Sequence, residues 1–107
     1  MNLFEKSVKF DLKASIEYSK DGIISRQIIR NDAGNVTLFS FDKGQWLSEH
    51  TASFDSMILI VEGVATVFID GRESTVTEGE AVILPANIPH ALKADKQFKM
   101  ILITVKE

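Results

Sequence analysis

Residues 57–71 read Met-Ile-Leu-Ile-Val-Glu-Gly-Val-Ala-Thr-Val-Phe-Ile-Asp-Gly, two apolar runs punctuated by Glu62-Gly63 and Asp70-Gly71. Short runs rich in valine and isoleucine and bounded by glycine are strands. Asp70-Gly71 is the stronger punctuation, because Asp-Gly between two alternating strands supplies the positive φ that a type I′ hairpin needs at both central residues. Glu62-Gly63 is read the same way, as a reversal between Met57–Val61 and Val64–Ile69. The same texture extends in both directions: Ile23–Ile29, Val36–Phe41, Ala81–Leu84 and Phe98–Val105 are strand-like, with turn signals at Asn31–Asn35, Asp42–Gly44 and Glu78-Gly79. No helical period is sustained after residue 20. The expected fold is all-β, a small antiparallel β-barrel or jelly roll.

A chain of 107 residues is one domain, too short for a second folded unit with its own core. Residues 1–35 are expected to form an N-terminal arm and dimerisation strand, with a helical turn and an edge strand within the first 20 residues, and residues 36–107 the barrel. Twelve Lys and Arg against fifteen Asp and Glu give a net charge of −3 with mixed signs, which offers no footprint for nucleic acid or an anionic membrane. With no cysteine there is no disulfide, thiolate metal site or cysteine nucleophile, so chemistry falls to histidine, carboxylate and hydroxyl groups. Glu5, Lys6 and Lys9 interrupt the first segment before a signal-peptide core can form, and Met57–Val61, the longest apolar run, is far short of the roughly 20 residues of a membrane span. The expectation is a cytoplasmic protein.

The two histidines are His50 and His90. Strand alternation places Ser48, His50 and Ala52 on one face and Glu49 and Thr51 on the other. His90, Leu92 and Ala94 share a face, and the charges of Lys93 and Lys96 mark the opposite face as wet, so His90 should look inward. An inward imidazole needs a partner to offset its desolvation. The same parity brings Phe54, Ser56 and Ile58 inside. With Lys99 taken as solvent-facing, Met100 and Leu102 on the last strand also point in. The expected pocket lining is therefore Ser48, Ala52, Phe54, Ser56, Ile58, Met100 and Leu102. Phe54, Met57, Met100 and Leu102 also suit plain core packing.

The punctuation around both histidines is similar to the paired motifs of the cupin superfamily. Gly44, His50 and Gly63 stand at positions of the first motif, and Gly79, Pro85 and His90 at positions of the second. The resemblance runs over about residues 36 to 105 and implies a small single-domain cupin barrel. In metal-binding cupins three histidines and a glutamate hold a divalent ion. Here Ala52 stands where the second histidine would be and Ser56 where the glutamate would be, while Asn87 and Ala94 replace a glycine and an asparagine of the second motif.

Only His50 and His90 carry over as metal ligands or as an acid/base pair. A full zinc site is worth about 10–16 kcal/mol, so two ligands keeping half of it would hold Zn, Mn, Fe or Ni weakly, with a dissociation constant on the order of 0.1 mM to 1 μM. Glu49 and Asp55 lie on the wrong face unless a β-bulge re-aims them. The resemblance implies a barrel that binds a small sugar-like or carboxylate metabolite, with metal-assisted or acid/base catalysis as one reading. A non-catalytic ligand-binding or structural barrel without metal is the other. A homodimer through an edge strand, Ile23–Ile29, is expected under both.

Overall fold

The structure, a computed structural model, describes residues 4–106. Its strands are β1 (Ile23–Asn31), β2 (Gly34–Phe41), β3 (Trp46–His50), β4 (Ser56–Ile69), β5 (Arg72–Thr77), β6 (Ala81–Leu84), β7 (His90–Lys93) and β8 (Phe98–Val105). All pairings are antiparallel and make two sheets, β1-β2-β8-β4-β6 and β3-β7-β4-β5, with β4 common to both. Among the described residues no helix is long and apolar enough to cross a membrane.

Alternation along the strands builds the interior. Ile58 and Ile60 of β4 face inward with Met100 and Phe98 of β8, and Val67, Leu92 and Ala65 answer from the second sheet. Phe41 and Phe98, both fully buried, stack with centroids 4.5 Å apart at 13°. Asp70 and Gly71 have φ of 52° and 78° between the paired residues Ile69 and Arg72, as a type I′ hairpin requires.

Gly63 does not reverse the chain, contrary to its reading as a turn. It lies inside the 14-residue β4, between the portion paired with β8 and the portion paired with β5. Its φ of 82° bends the strand from one sheet into the other, and a Cβ there would lie 2.5 Å from the Gln97 carbonyl oxygen. Glycine signals a bend as readily as a reversal.

The arm also differs from its expectation. A 3-10 turn spans Lys13–Ser15, and between residues 4 and 22 there is no strand. Ile16, Leu12 and Phe4 instead lie on the outer face of the first sheet, against Leu38, Val61 and Ile101. Lys99 is therefore not solvent-facing. It points away from the interior but is only 8% exposed, covered by the arm. Its Nζ donates to the Lys13 carbonyl at 2.5 Å, sits 3.5 Å from Glu62 Oε2, and lies 5.1 Å from the centre of the Tyr18 ring. The Tyr18 hydroxyl donates to the same Glu62 oxygen at 2.6 Å. Burial first, then the Glu62 carboxylate, push the Tyr18 phenol well above its ordinary range. The Tyr18 hydrogen bond and the Lys99 charge lower the Glu62 carboxyl.

Candidate functional site

The register of β3 against β7 decides which way His50 points. Leu47 pairs with Leu92 and His50 with His90, so Ser48 and Glu49 together stand opposite the single residue Ala91. That is a β-bulge, and it inverts the alternation within the strand. Leu47 packs against the interior cluster, so a regular ladder would turn Glu49 in and His50 out. The bulge brings His50 to His90's face and leaves Ser48 exposed on the other, which removes Ser48 from the expected lining.

The two rings meet edge to face, with centroids 4.3 Å apart at 67° and Nε2 to Nε2 3.1 Å. Each Nδ1 rests on a backbone carbonyl two residues earlier: His50 on Ser48 O at 2.9 Å, His90 on Ile88 O at 3.2 Å. A carbonyl only accepts, so both Nδ1 atoms carry the hydrogen. Two neutral rings then aim lone pairs at each other. Their contact is a hydrogen bond only when one ring is doubly protonated. Burial disfavours a charge on His90, which is 5% exposed. Burial, and then the neighbouring His50, lower the His90 pKa, against the raising effect of the Ile88 carbonyl.

That shift carries a sign. A histidine depressed in the folded state stays neutral while the unfolded chain takes up the proton, so its contribution to stability is complete above the ordinary value of about 6.5 and is lost as pH falls through the depressed one. Melting temperatures measured from pH 8 to pH 5 should fall more in the wild type than in His90→Gln. Each kcal/mol lost corresponds to roughly 4–8 °C. Parallel curves would show that His90 does not titrate in this way.

The surrounding loops are tied together by their backbones. Asn87, with φ of 64°, takes the left-handed conformation that glycine supplies elsewhere, and its N–H donates to Ala52 O at 2.7 Å. Asp55 Oδ1 accepts from Ala86 N at 2.8 Å. The 51–55 loop is thus joined to the turn before His90. Phe54 is 41% exposed on this loop, because alternation stops where β3 ends at His50. Ser56 is buried and its hydroxyl pairs with Thr104 Oγ1 at 3.1 Å. Ile58 and Met100 are fully buried and Leu102 packs against the same interior cluster. The Ser48 and Ile88 carbonyls and the Thr104 hydroxyl were outside the reach of sequence reasoning. The first two are backbone atoms, and Thr104 reaches Ser56 only through the β4–β8 register.

Among the described residues no group of three or more His, Asp or Glu side chains could hold a metal ion. The two Nε2 atoms are 3.1 Å apart, a separation that can be set beside that of two nitrogens on one ion. Nitrogens 2.0–2.1 Å from a common ion lie about 2.9–3.4 Å apart for angles between octahedral and tetrahedral, which brackets the observed 3.1 Å. The fixed Nδ1–H tautomer is also the one a metal-binding histidine uses. A model of the cupin domain matches residues 37–106. The chain belongs to the cupin family.

Solved structures match the chain closely. The conserved SPY1581 protein of Streptococcus pyogenes, of unknown function, is 36% identical at a TM-score of 0.92, covering 99% of this chain and 93% of that one. A cupin 2 conserved barrel domain protein from Leptotrichia buccalis is 37% identical at 0.87, covering 91% of this chain and 47% of that one. A cupin superfamily protein from Desulfitobacterium hafniense is 26% identical at 0.91, covering 100% and 97%. No curated protein matches the sequence.

Proposed function

We propose that this cupin binds a small carboxylate or sugar-like metabolite at the His50–His90 pair, which holds one proton between its Nε2 atoms and serves as an acid/base pair. The observation that carries this reading is the 3.1 Å Nε2 contact between rings whose Nδ1 atoms are both held by carbonyls. One proton turns a repulsive pair of lone pairs into a charge-assisted bond and leaves a positive head group on the exposed ring. A carboxylate matches that charge, and a hydroxyl can donate to a neutral Nε2.

The test is a thermal-shift screen with small carboxylates and sugars, followed by product analysis for any that bind. A ligand at a hundred times its dissociation constant stabilises the fold by about 2.7 kcal/mol, and His50→Ala should abolish the shift. A shift retained in His50→Ala would place the ligand elsewhere. The spacing of the two nitrogens supports a second reading, in which the pair holds a divalent ion weakly and water or the ligand fills the other positions. Elemental analysis of protein purified without a histidine tag, together with zinc titration, separates the two. Zinc binding with a dissociation constant of about 0.1 mM to 1 μM, lost in His50→Ala, would favour the metal.

A further inference from the structure

One residue beneath the arm does not match its seat. Ile24 and Ile28 of β1 pack into the outer-face cluster, and Leu38, the cross-strand partner of Arg26, is fully buried there. Arg26 lies between those isoleucines on the same face, at a position that an aliphatic side chain would fill. Among the described residues its Nε is the one buried side-chain nitrogen or oxygen without a hydrogen-bond partner. A donor left unpaired there costs stability until an acceptor reaches it.

Beside it lies a cleft of about 340 Å³ lined by Ala14, Ser15, Ile16, Glu17 and Arg26, within the roughly 300–1,000 Å³ range of small-molecule sites. Its walls are pinned. Ile16 is 2% exposed, the Ser40 hydroxyl donates to the Glu17 carbonyl at 2.7 Å, and the Ser15 hydroxyl donates to the Asp11 carbonyl. The cleft carries one cation and one carboxylate, and among the described residues neither side chain is in an ion pair.

We propose that this cleft binds a small zwitterion of the α-amino-acid class, its carboxylate on the Arg26 guanidinium and its ammonium toward the Glu17 carboxylate. Charge complementarity selects that class. A simple anion would answer Arg26 but meet Glu17 as a like charge, and a simple cation would do the reverse. A planar guanidinium takes a carboxylate through two parallel hydrogen bonds, and an acceptor entering between the arm and β1 gives the orphaned Nε–H its partner. Ala14 and Ile16 offer a wall for a short aliphatic side chain. The site is separate from the histidine pair, which joins β3 to β7 in the second sheet.

Calorimetric titration of the full chain with glycine, L-alanine and L-serine, at up to roughly 10 mM, tenfold above a millimolar dissociation constant, should detect binding of at least one. Acetate and methylamine each carry half of the charge pattern and should bind about tenfold or more weakly than that amino acid. Glu17→Gln should weaken the amino acid by a similar factor. Arg26→Met should abolish binding and melt no lower than the wild type, since it removes the orphaned donor and keeps an apolar stem in the seat. His50→Ala should leave the affinity unchanged, which separates failure here from failure of the histidine-pair reading. The proposal is overturned if none of the three amino acids binds, if acetate binds as tightly as they do, or if binding survives Arg26→Met or is lost in His50→Ala. A clear loss of stability in Arg26→Met overturns it too, because the guanidinium would then have a partner within the chain.

Discussion

Gly63→Ala should lower the melting temperature of this barrel by about 8–20 °C, from a loss of about 2–5 kcal/mol at roughly 4 °C each. The loss has two sources. At φ of 82° an alanine occupies the left-handed region, which costs about 1–2 kcal/mol. Its Cβ would also stand 2.5 Å from the Gln97 carbonyl oxygen and 3.1 Å from the Phe98 Cα, so backbone must move. The atoms that would move belong to the strand carrying Phe98, half of the buried ring stack, and overpacking of this kind costs about 1–3 kcal/mol. Gly79→Ala is the control: its φ is 85°, but nothing lies within 4 Å of the added carbon. It should cost only the backbone share, about 1–2 kcal/mol. Equal losses in the two variants, measured by thermal or urea denaturation, would remove the close approach from the explanation.

The second large effect concerns the cation beneath the arm. Removing one partner of a buried ion pair costs about 3–5 kcal/mol. The Glu62 side chain is 35% exposed, and screening lowers the expectation for Glu62→Ala to about 2 kcal/mol. What remains in that variant is the Lys99 ammonium, 8% exposed, with only the Lys13 carbonyl and the Tyr18 ring for company. Lys99→Met removes the charge itself, keeps the Tyr18–Glu62 hydrogen bond and fills a similar volume, so it should change stability by less than about 1 kcal/mol. The order of the two variants is the prediction. Trypsin supplies an independent reading, because an arm loosened by Glu62→Ala should be cut faster at Lys6, Lys9 and Lys13. If Lys99→Met proves the more damaging, the ammonium holds the arm by its hydrogen bond to Lys13 and not by charge balance.

The strands were legible because their alternation follows burial directly. Ile58, Ile60, Met100 and Leu92 fall inside as a period of two requires. Four features escaped, each for a physical reason. Gly63 announces a positive φ, and that conformation serves a bend within β4 as well as a turn between strands. Lys99 was read as solvent-facing because a lysine on the outer face of a sheet usually is, and the arm that covers it shows no period of its own. His50 faces His90 as parity suggested, but through a bulge that parity does not contain. The same bulge puts Ser48 outside. The spacing from Gly44 to His50 that carried the family resemblance includes that extra residue. The lone-pair conflict between the rings depends on two backbone carbonyls, and no side-chain pattern encodes it.

Because β4 pairs with β5, β6, β7 and β8, neither sheet has an independent route to opening. Amides along its buried middle can exchange with solvent only when the whole molecule unfolds, which makes the two sheets one cooperative unit. β3 stands outside that constraint. It is a short, bulged edge strand bonded only to β7, so it can fray on its own while the remainder stays closed. His50 thus sits on a short edge strand and His90 on a strand clamped to β4, so the 3.1 Å contact between their rings ties an element able to fray to the part that opens last.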